Sequence, residues 1–271
     1  MSDRQLVLTS VVKEFGGVRA LDGIDLTVAE GELLGLIGPN GSGKTTLINL
    51  VSGLLCPSSG SIVYGGNRLD GLPAHRVARL GIGRTFQLLR GLPTLSVYEN
   101  VLAGAHLYGR GGLIAAVFGK LVIGSEERRL SDRAYEMIRF VGLGDRANVP
   151  ASELPAGQGR LLELARALAP NPDLLLLDEP ASGLTSSERA TLERKLRELQ
   201  MSGKTIILVD HDMRLVMNLA DRVVVLNEGR VLAGGTPSDV QASPSVIDVY
   251  LGRRRANPRN AVATDRTGGQ S

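Results

Sequence analysis

Apolar residues follow two patterns along the chain. LLGLI (Leu33 to Ile37), LLLLD (Leu174 to Asp178), TIILVD (Thr205 to Asp210) and RVVVLN (Arg222 to Asn227) are apolar or β-branched runs too short for helices. Their hydrophobicity is continuous, not alternating, which predicts central strands of a parallel sheet covered on both faces. Elsewhere the apolar residues recur every three or four positions. Ala134, Met137, Ile138 and Val141 share a helical face, as do Leu161, Leu164, Ala165 and Leu168, and also Leu192, Leu196 and Leu199. The second of these helices must stop before Pro170 and Pro172. The third starts at a capping box, Thr185, Ser186, Ser187 and Glu188, and ends at Gly203. TTLINLVSGLL (Thr45 to Leu55) predicts one more helix.

Strands and helices that alternate in this way give one large α/β domain. The strand-rich, Gly-punctuated start covers residues 1–88, and residues 89–153 change character. They carry scattered glycines and the charged stretch SEERRLSDR (Ser125 to Arg133), and read as a helical insertion. From Gly252 onward the chain lacks periodicity and bulky apolar residues, so residues 253–271 are expected to be disordered.

Composition narrows the function. The chain has 271 residues, of which 43% are hydrophobic and 22% charged, ordinary for a globular protein with a sizeable core. Aromatic residues make up 3% and there is no Trp, which leaves little for nucleic-acid recognition by base stacking. The single cysteine, Cys56, excludes an internal disulfide framework and reads as a small buried hydrophobe. The N-terminus has no apolar run for a signal peptide, which predicts a cytosolic chain. LIAAVFGKLVIG (Leu113 to Gly124) is too short to span a bilayer and contains Lys120. Five arginines against one aspartate within residues 253–271 account for more than the whole net charge of +3. The basic balance therefore says nothing about the fold.

GPNGSGKT (Gly38, Pro39, Asn40, Gly41, Ser42, Gly43, Lys44 and Thr45, followed by Thr46) matches a phosphate-binding loop in full, after a strand and opening a helix. Its glycines let the backbone N–H groups point at phosphate oxygens, and the helix N-terminus adds positive potential. Lys44 can reach the β- and γ-phosphates of ATP while the Thr45 hydroxyl ligates Mg²⁺. LLLLDEP ends a strand in two adjacent carboxylates. Asp178 suits a metal-holding acid and Glu179 a general base, although alone they read equally well as surface acids. His211 emerges at the C-terminal end of a strand, where open α/β sheets bind ligands, and can donate to a γ-phosphate. His75 and His106 have no such setting. Gln87, in GRTFQ (Gly83 to Gln87), can offer its amide oxygen to Mg²⁺ or water. Phe15 precedes two glycines and either stacks on a flat base or packs in the core.

Taken in order, Phe15, GPNGSGKT, GRTFQ, LPAGQGRLLELARAL (Leu154 to Leu168), LLLLDEP and VDHD (Val209 to Asp212) resemble the ATPase subunit of ABC transporters over about 250 residues. Within that family the chain looks most like the ATP-binding proteins of branched-chain amino acid importers. That likeness lies in GIGRTFQ, in Val209 to Val240 and in VYLG (Val249 to Gly252). The resemblance implies a P-loop NTPase (RecA-like) core of the ABC ATPase type, with an inserted helical subdomain and a small antiparallel β part. The ATPase domain would span residues 1–252, with the core at about 1–88 and 160–252 and the helical subdomain at about 89–159. It also implies a second ATPase subunit sandwiching two ATPs head to tail, transmembrane permease subunits, a substrate-binding protein, and a place on the cytoplasmic face of the inner membrane. Phe15 and Gln87 become ATP-binding residues, Thr45, Gln87 and Asp178 the Mg²⁺ set, and Glu179 and His211 the catalytic pair. Pro155, Ala156, Gly157 and Gln158 would contact the ATP of the partner subunit.

Two stretches depart from the family, Pro155 with Ala156 in the signature and Thr185 in the segment after the paired acids. The family signature usually reads LSGGQ, and Pro155 here has neither the serine hydroxyl nor a backbone N–H, although proline suits the first turn of a helix. Thr185 stands where the family usually has Asp or Asn. Urea or amide import and lipopolysaccharide export use similar ATPases, so the cargo stays open. A soluble ABC protein acting on ribosomes or DNA would need a second cassette or a long coiled-coil insertion, and neither is present. A regulatory module with little turnover is disfavoured by Glu179 and His211.

Overall fold

The computed structural model describes residues 4–85, 92–107 and 125–255. Gln87 and the apolar stretch Leu113 to Gly124 lie outside the described residues. Two sheets organise the chain. A four-stranded antiparallel sheet joins β1 (Leu6–Phe15), β2 (Val18–Val28), β4 (Ser59–Tyr64) and β5 (Asn67–Arg68) in the order β2-β1-β4-β5. The second runs β10-β9-β3-β8-β7-β6, from β10 (Arg230–Gly235) and β9 (Arg222–Asn227) through β3 (Leu33–Ile37), β8 (Thr205–Val209) and β7 (Leu174–Asp178) to β6 (Ile82–Arg84). Its strands are parallel except β10, which pairs antiparallel with β9.

The unbroken apolar runs have a direct cause. Side chains of a strand alternate between faces, and here both faces are covered. Leu175, Leu177, Ile206, Leu208, Val223 and Val225 join one core, packed under helices. Leu174, Leu176, Ile207, Val209, Val224 and Leu226 join the other, packed under the antiparallel sheet and helix α1 (Lys44–Val51). Short α2 (Ala74–Arg79) leads into β6.

The helical insertion holds α3 (Val97–Leu107), α4 (Ser125–Phe140) and the start of α5 (Ala156–Leu168). Ala134, Met137 and Ile138 of α4, Val141 just beyond it, and Leu161, Leu164, Ala165 and Leu168 of α5 are all buried in one core. The boundary expected at residue 160 falls inside α5, which packs on α3 and α4 and also feeds β7. Helix α6 (Ser186–Met201) begins at the complete Thr185–Glu188 capping box and buries Leu192, Leu196 and Leu199. After it come α7 (Met213–Leu219), α8 (Pro237–Ala242) and α9 (Pro244–Arg255).

Two expectations need correction. Cys56 is exposed, because α1 ends at Val51 and the chain has left the core before reaching it. That early end follows from Gly53 at φ 71°, with the Leu54 and Leu55 N–H groups both turned back to the Asn49 carbonyl. Helix α9 runs to Arg255, past the expected start of disorder at 253. Among the described residues no helix is long and apolar enough to cross a membrane.

Candidate nucleotide and metal site

The site lies where β3, β7 and β8 end. The Gly38–Gly43 loop leaves β3 and opens α1. Two glycines are demanded by the fold. Gly38 has φ 148°, and a Cβ there would meet the Leu226 carbonyl oxygen at 2.1 Å. Gly43, the N-cap of α1, has φ 105°, and a Cβ would meet Leu21 at 2.5 Å and the Ala20 carbonyl at 2.7 Å. No side chain caps α1, so its first N–H groups and its dipole are left for an anion. Lys44 is buried, and its Nζ donates to the carbonyls of Gly38 at 2.8 Å and Pro39 at 2.9 Å. The ammonium is thus folded into the loop that a phosphate would fill. Thr45 is exposed on the first turn of the same helix.

Asp178 closes β7 as a fully buried carboxylate, and neither of its oxygens has a hydrogen-bond partner. Burial pushes this carboxyl above the usual range, opposed first by Arg84, whose Nη2 lies 3.5 Å from Oδ2. A buried carboxylate with unmet acceptor capacity is suited to Mg²⁺ held through water, which is the fit the chemistry requires. Glu179, the next residue, adopts φ 53°, a left-handed conformation costing about 1 kcal/mol or more outside glycine. Its N–H donates to the Val209 carbonyl at 2.7 Å, which ties that turn to the end of β8. Its Oε1 lies 2.6 Å from Nε2 of His211, with both side chains part-exposed. Buried Asp210 holds this turn, accepting from the N–H of Ala181 at 3.1 Å and of Asp212 at 2.9 Å. Burial raises the Asp210 carboxyl, and those two bonds oppose it.

Phe15 ends β1 with 47% of its surface exposed and Lys13 Nζ 4.9 Å from the ring centre. The core-packing alternative is therefore not what the structure shows. Pro155 is the N-cap of α5, one position before the first helical turn expected for it, with Ala156 opening the helix. Gly157 is buried, and the atoms nearest to it are the Glu188 carboxylate, which a Cβ would meet at 2.1 Å. The signature therefore rests on the capping box that Thr185 starts. The Oε1 of Gln158 is buried without a hydrogen bond.

Asp210, Arg84, Glu188 and Tyr250 had not been singled out as site residues. Tyr250, on α9, packs at the edge of the helix-covered core. Burial pushes its phenol up, and the Gly38 backbone opposes that shift. Replacing Tyr250 by Phe removes only the phenol oxygen. ATP affinity should fall by up to about 10-fold, the most that one polar contact to the loop is worth, with little change in melting temperature. Isothermal titration of the variant with ATP checks it, and unchanged affinity would remove α9 from the loop's support.

Comparison with known proteins agrees with this geometry. The ABC transporter family matches residues 21–182, and the branched-chain amino acid ATP-binding cassette transporter family matches residues 230–258. The high-affinity branched-chain amino acid transport ATP-binding protein LivG of Salmonella typhimurium is 39% identical over 93% of this chain and 99% of its own. BraF of Pseudomonas aeruginosa, of the same description, is 38% identical over 93% and 99%. The structure resembles the ADP conformation of an ATP-binding cassette from an ABC transporter, with TM-score 0.81 and 32% identity over 92% of this chain and 99% of that one. It also resembles a dimeric cassette bound to ADP and phosphate, with TM-score 0.74 and 29% identity over 86% and 98%. With the ABC transporter family matching residues 21–182 and these relatives covered almost end to end, the chain belongs to the ABC transporter family as one of its ATP-binding cassettes.

Proposed function

We propose that the chain hydrolyses ATP to power import of branched-chain or related apolar amino acids. It would work as a head-to-tail pair with a second ATPase subunit, docked on transmembrane permease subunits at the cytoplasmic face of the inner membrane. A substrate-binding protein on the far side would deliver the cargo. The observation that carries the catalytic reading is the buried, hydrogen-bond-free Asp178 beside Glu179 and the Lys44 loop. The cargo rests on the family match over residues 230–258 and on what the relatives are named for.

Asp178, Thr45 and Gln87 would hold Mg²⁺, which when bound offsets the charge of the β- and γ-phosphates. Lys44 leaves the loop carbonyls and turns to those phosphates. Glu179 accepts a proton from the attacking water as the water oxygen bonds to the γ-phosphorus and the bond to the ADP oxygen breaks. His211, beside Glu179, orients it and reaches toward the γ-phosphate. Phe15 offers its exposed ring to the adenine.

The test is transport. Proteoliposomes holding this chain and its permeases should accumulate radiolabelled leucine when the binding protein and ATP are supplied, and Lys44→Ala should stop it. ATP-driven uptake of urea with no uptake of leucine would overturn the cargo.

A further inference from the structure

Arg84 is a buried cation for which the mechanism above has no use. It sits in β6 with 8% of its surface exposed. Its Nη1 donates to Asn49 Oδ1 at 2.6 Å and to Ser52 Oγ at 2.9 Å, at the far end of α1. Its Nη2 faces Asp178 Oδ2 at 3.5 Å. One guanidinium therefore ties β6 to two elements that each carry a candidate metal ligand. Helix α1 carries Thr45 and β7 carries Asp178. A buried arginine with its fixed fork of donors suits such a brace better than a flexible lysine.

We infer that Arg84 is a positioning residue of the metal site: it is the resident counter-ion of Asp178 and shares that carboxylate with Mg²⁺, while its other arm fixes α1 against β7. The inference rests on the reading of this site as a Mg²⁺-dependent ATPase. Two cations facing one carboxylate oppose each other, so Arg84 restrains metal affinity while it holds alignment. Removing the charge should then tighten metal binding and slow turnover together. A side chain that only filled space would loosen both.

The readout is the ratio of affinities for a fluorescent ATP analogue with EDTA and with saturating Mg²⁺, measured on the full chain. In Arg84→Met that ratio should grow about tenfold in favour of Mg²⁺ while kcat falls. Arg84→Lys keeps the charge and loses the double contact to α1. Its ratio should stay at the wild-type value while kcat falls, which keeps the idea testable if the Met variant does not fold. A ratio unchanged in Arg84→Met, or raised equally in Arg84→Lys, overturns the counter-ion role. Lys44→Ala in the same assay separates the two readings. If it binds the analogue as tightly as wild type, the nucleotide site itself is misassigned. If it does not, and the Arg84 ratios fail, only the role of Arg84 falls.

Discussion

Glu179→Gln is expected to lower steady-state ATP hydrolysis by about 10²- to 10⁴-fold, the range for loss of a general base, while ATP still binds. The geometry explains why this should be a clean loss of chemistry. Glu179 is placed by its backbone, with φ 53° and its N–H bonded to the Val209 carbonyl, and not by its carboxylate. Glutamine keeps the length and the shape, so the turn and its neighbour Asp178 stay where they are. What disappears is the negative charge that accepts the proton and faces His211 Nε2 at 2.6 Å. Nucleotide affinity depends instead on the glycine loop, on Lys44 and on the α1 N-terminus, none of which the substitution touches. Phosphate release and analogue binding measured on one preparation separate the two. Retention of more than about a tenth of the wild-type rate would remove Glu179 from the role of base.

The same contrast between local and long-range causes explains how much the sequence revealed. The central strands were legible because covering both faces of a sheet forces continuous apolar runs, and no other short element reads that way. The Thr185–Glu188 box and the loop Gly38–Gly43 were legible because their chemistry is local: a cap closes within three residues, and a phosphate loop needs its glycines in fixed order. Cys56 was misread because burial depends on where α1 stops, and Gly53 stops it early. Arg84 went unnoticed for a related reason. Its partners Asn49, Ser52 and Asp178 lie on two other elements, and nothing in GRTFQ announces them. Asp210 was in view within VDHD, yet its bond to the Ala181 N–H exists only once β7 and β8 are side by side. The Gly157–Glu188 contact joins the two segments that hold the departures Pro155 and Thr185, and sequence alone treats them as separate.

That contact leads to the prediction with the sharpest outcome. The first turn of α5 has no side-chain cap, and the Gly159 N–H returns to Pro155, which leaves the preceding N–H groups open at the helix start. In a head-to-tail pair these donors would serve the neighbour's ATP, so the two kinds of lesion should complement each other across subunits. Gly157→Val drives a side chain into the Glu188 carboxylate, displaces the cap and moves the donors, a loss worth about 10²-fold or more at the site they serve. Consider dimers isolated through two different tags. With Glu179→Gln on one chain and Gly157→Val on the other, one site loses both its base and its donors, and the second site is intact. With both substitutions on the same chain, one site loses its base and the other its donors, so neither is intact. Phosphate released in a single turnover should therefore approach one equivalent per dimer when the lesions are on different chains, and fall near zero when they share a chain. If the signature acts on the ATP of its own subunit, the two results exchange places, and the head-to-tail arrangement is wrong.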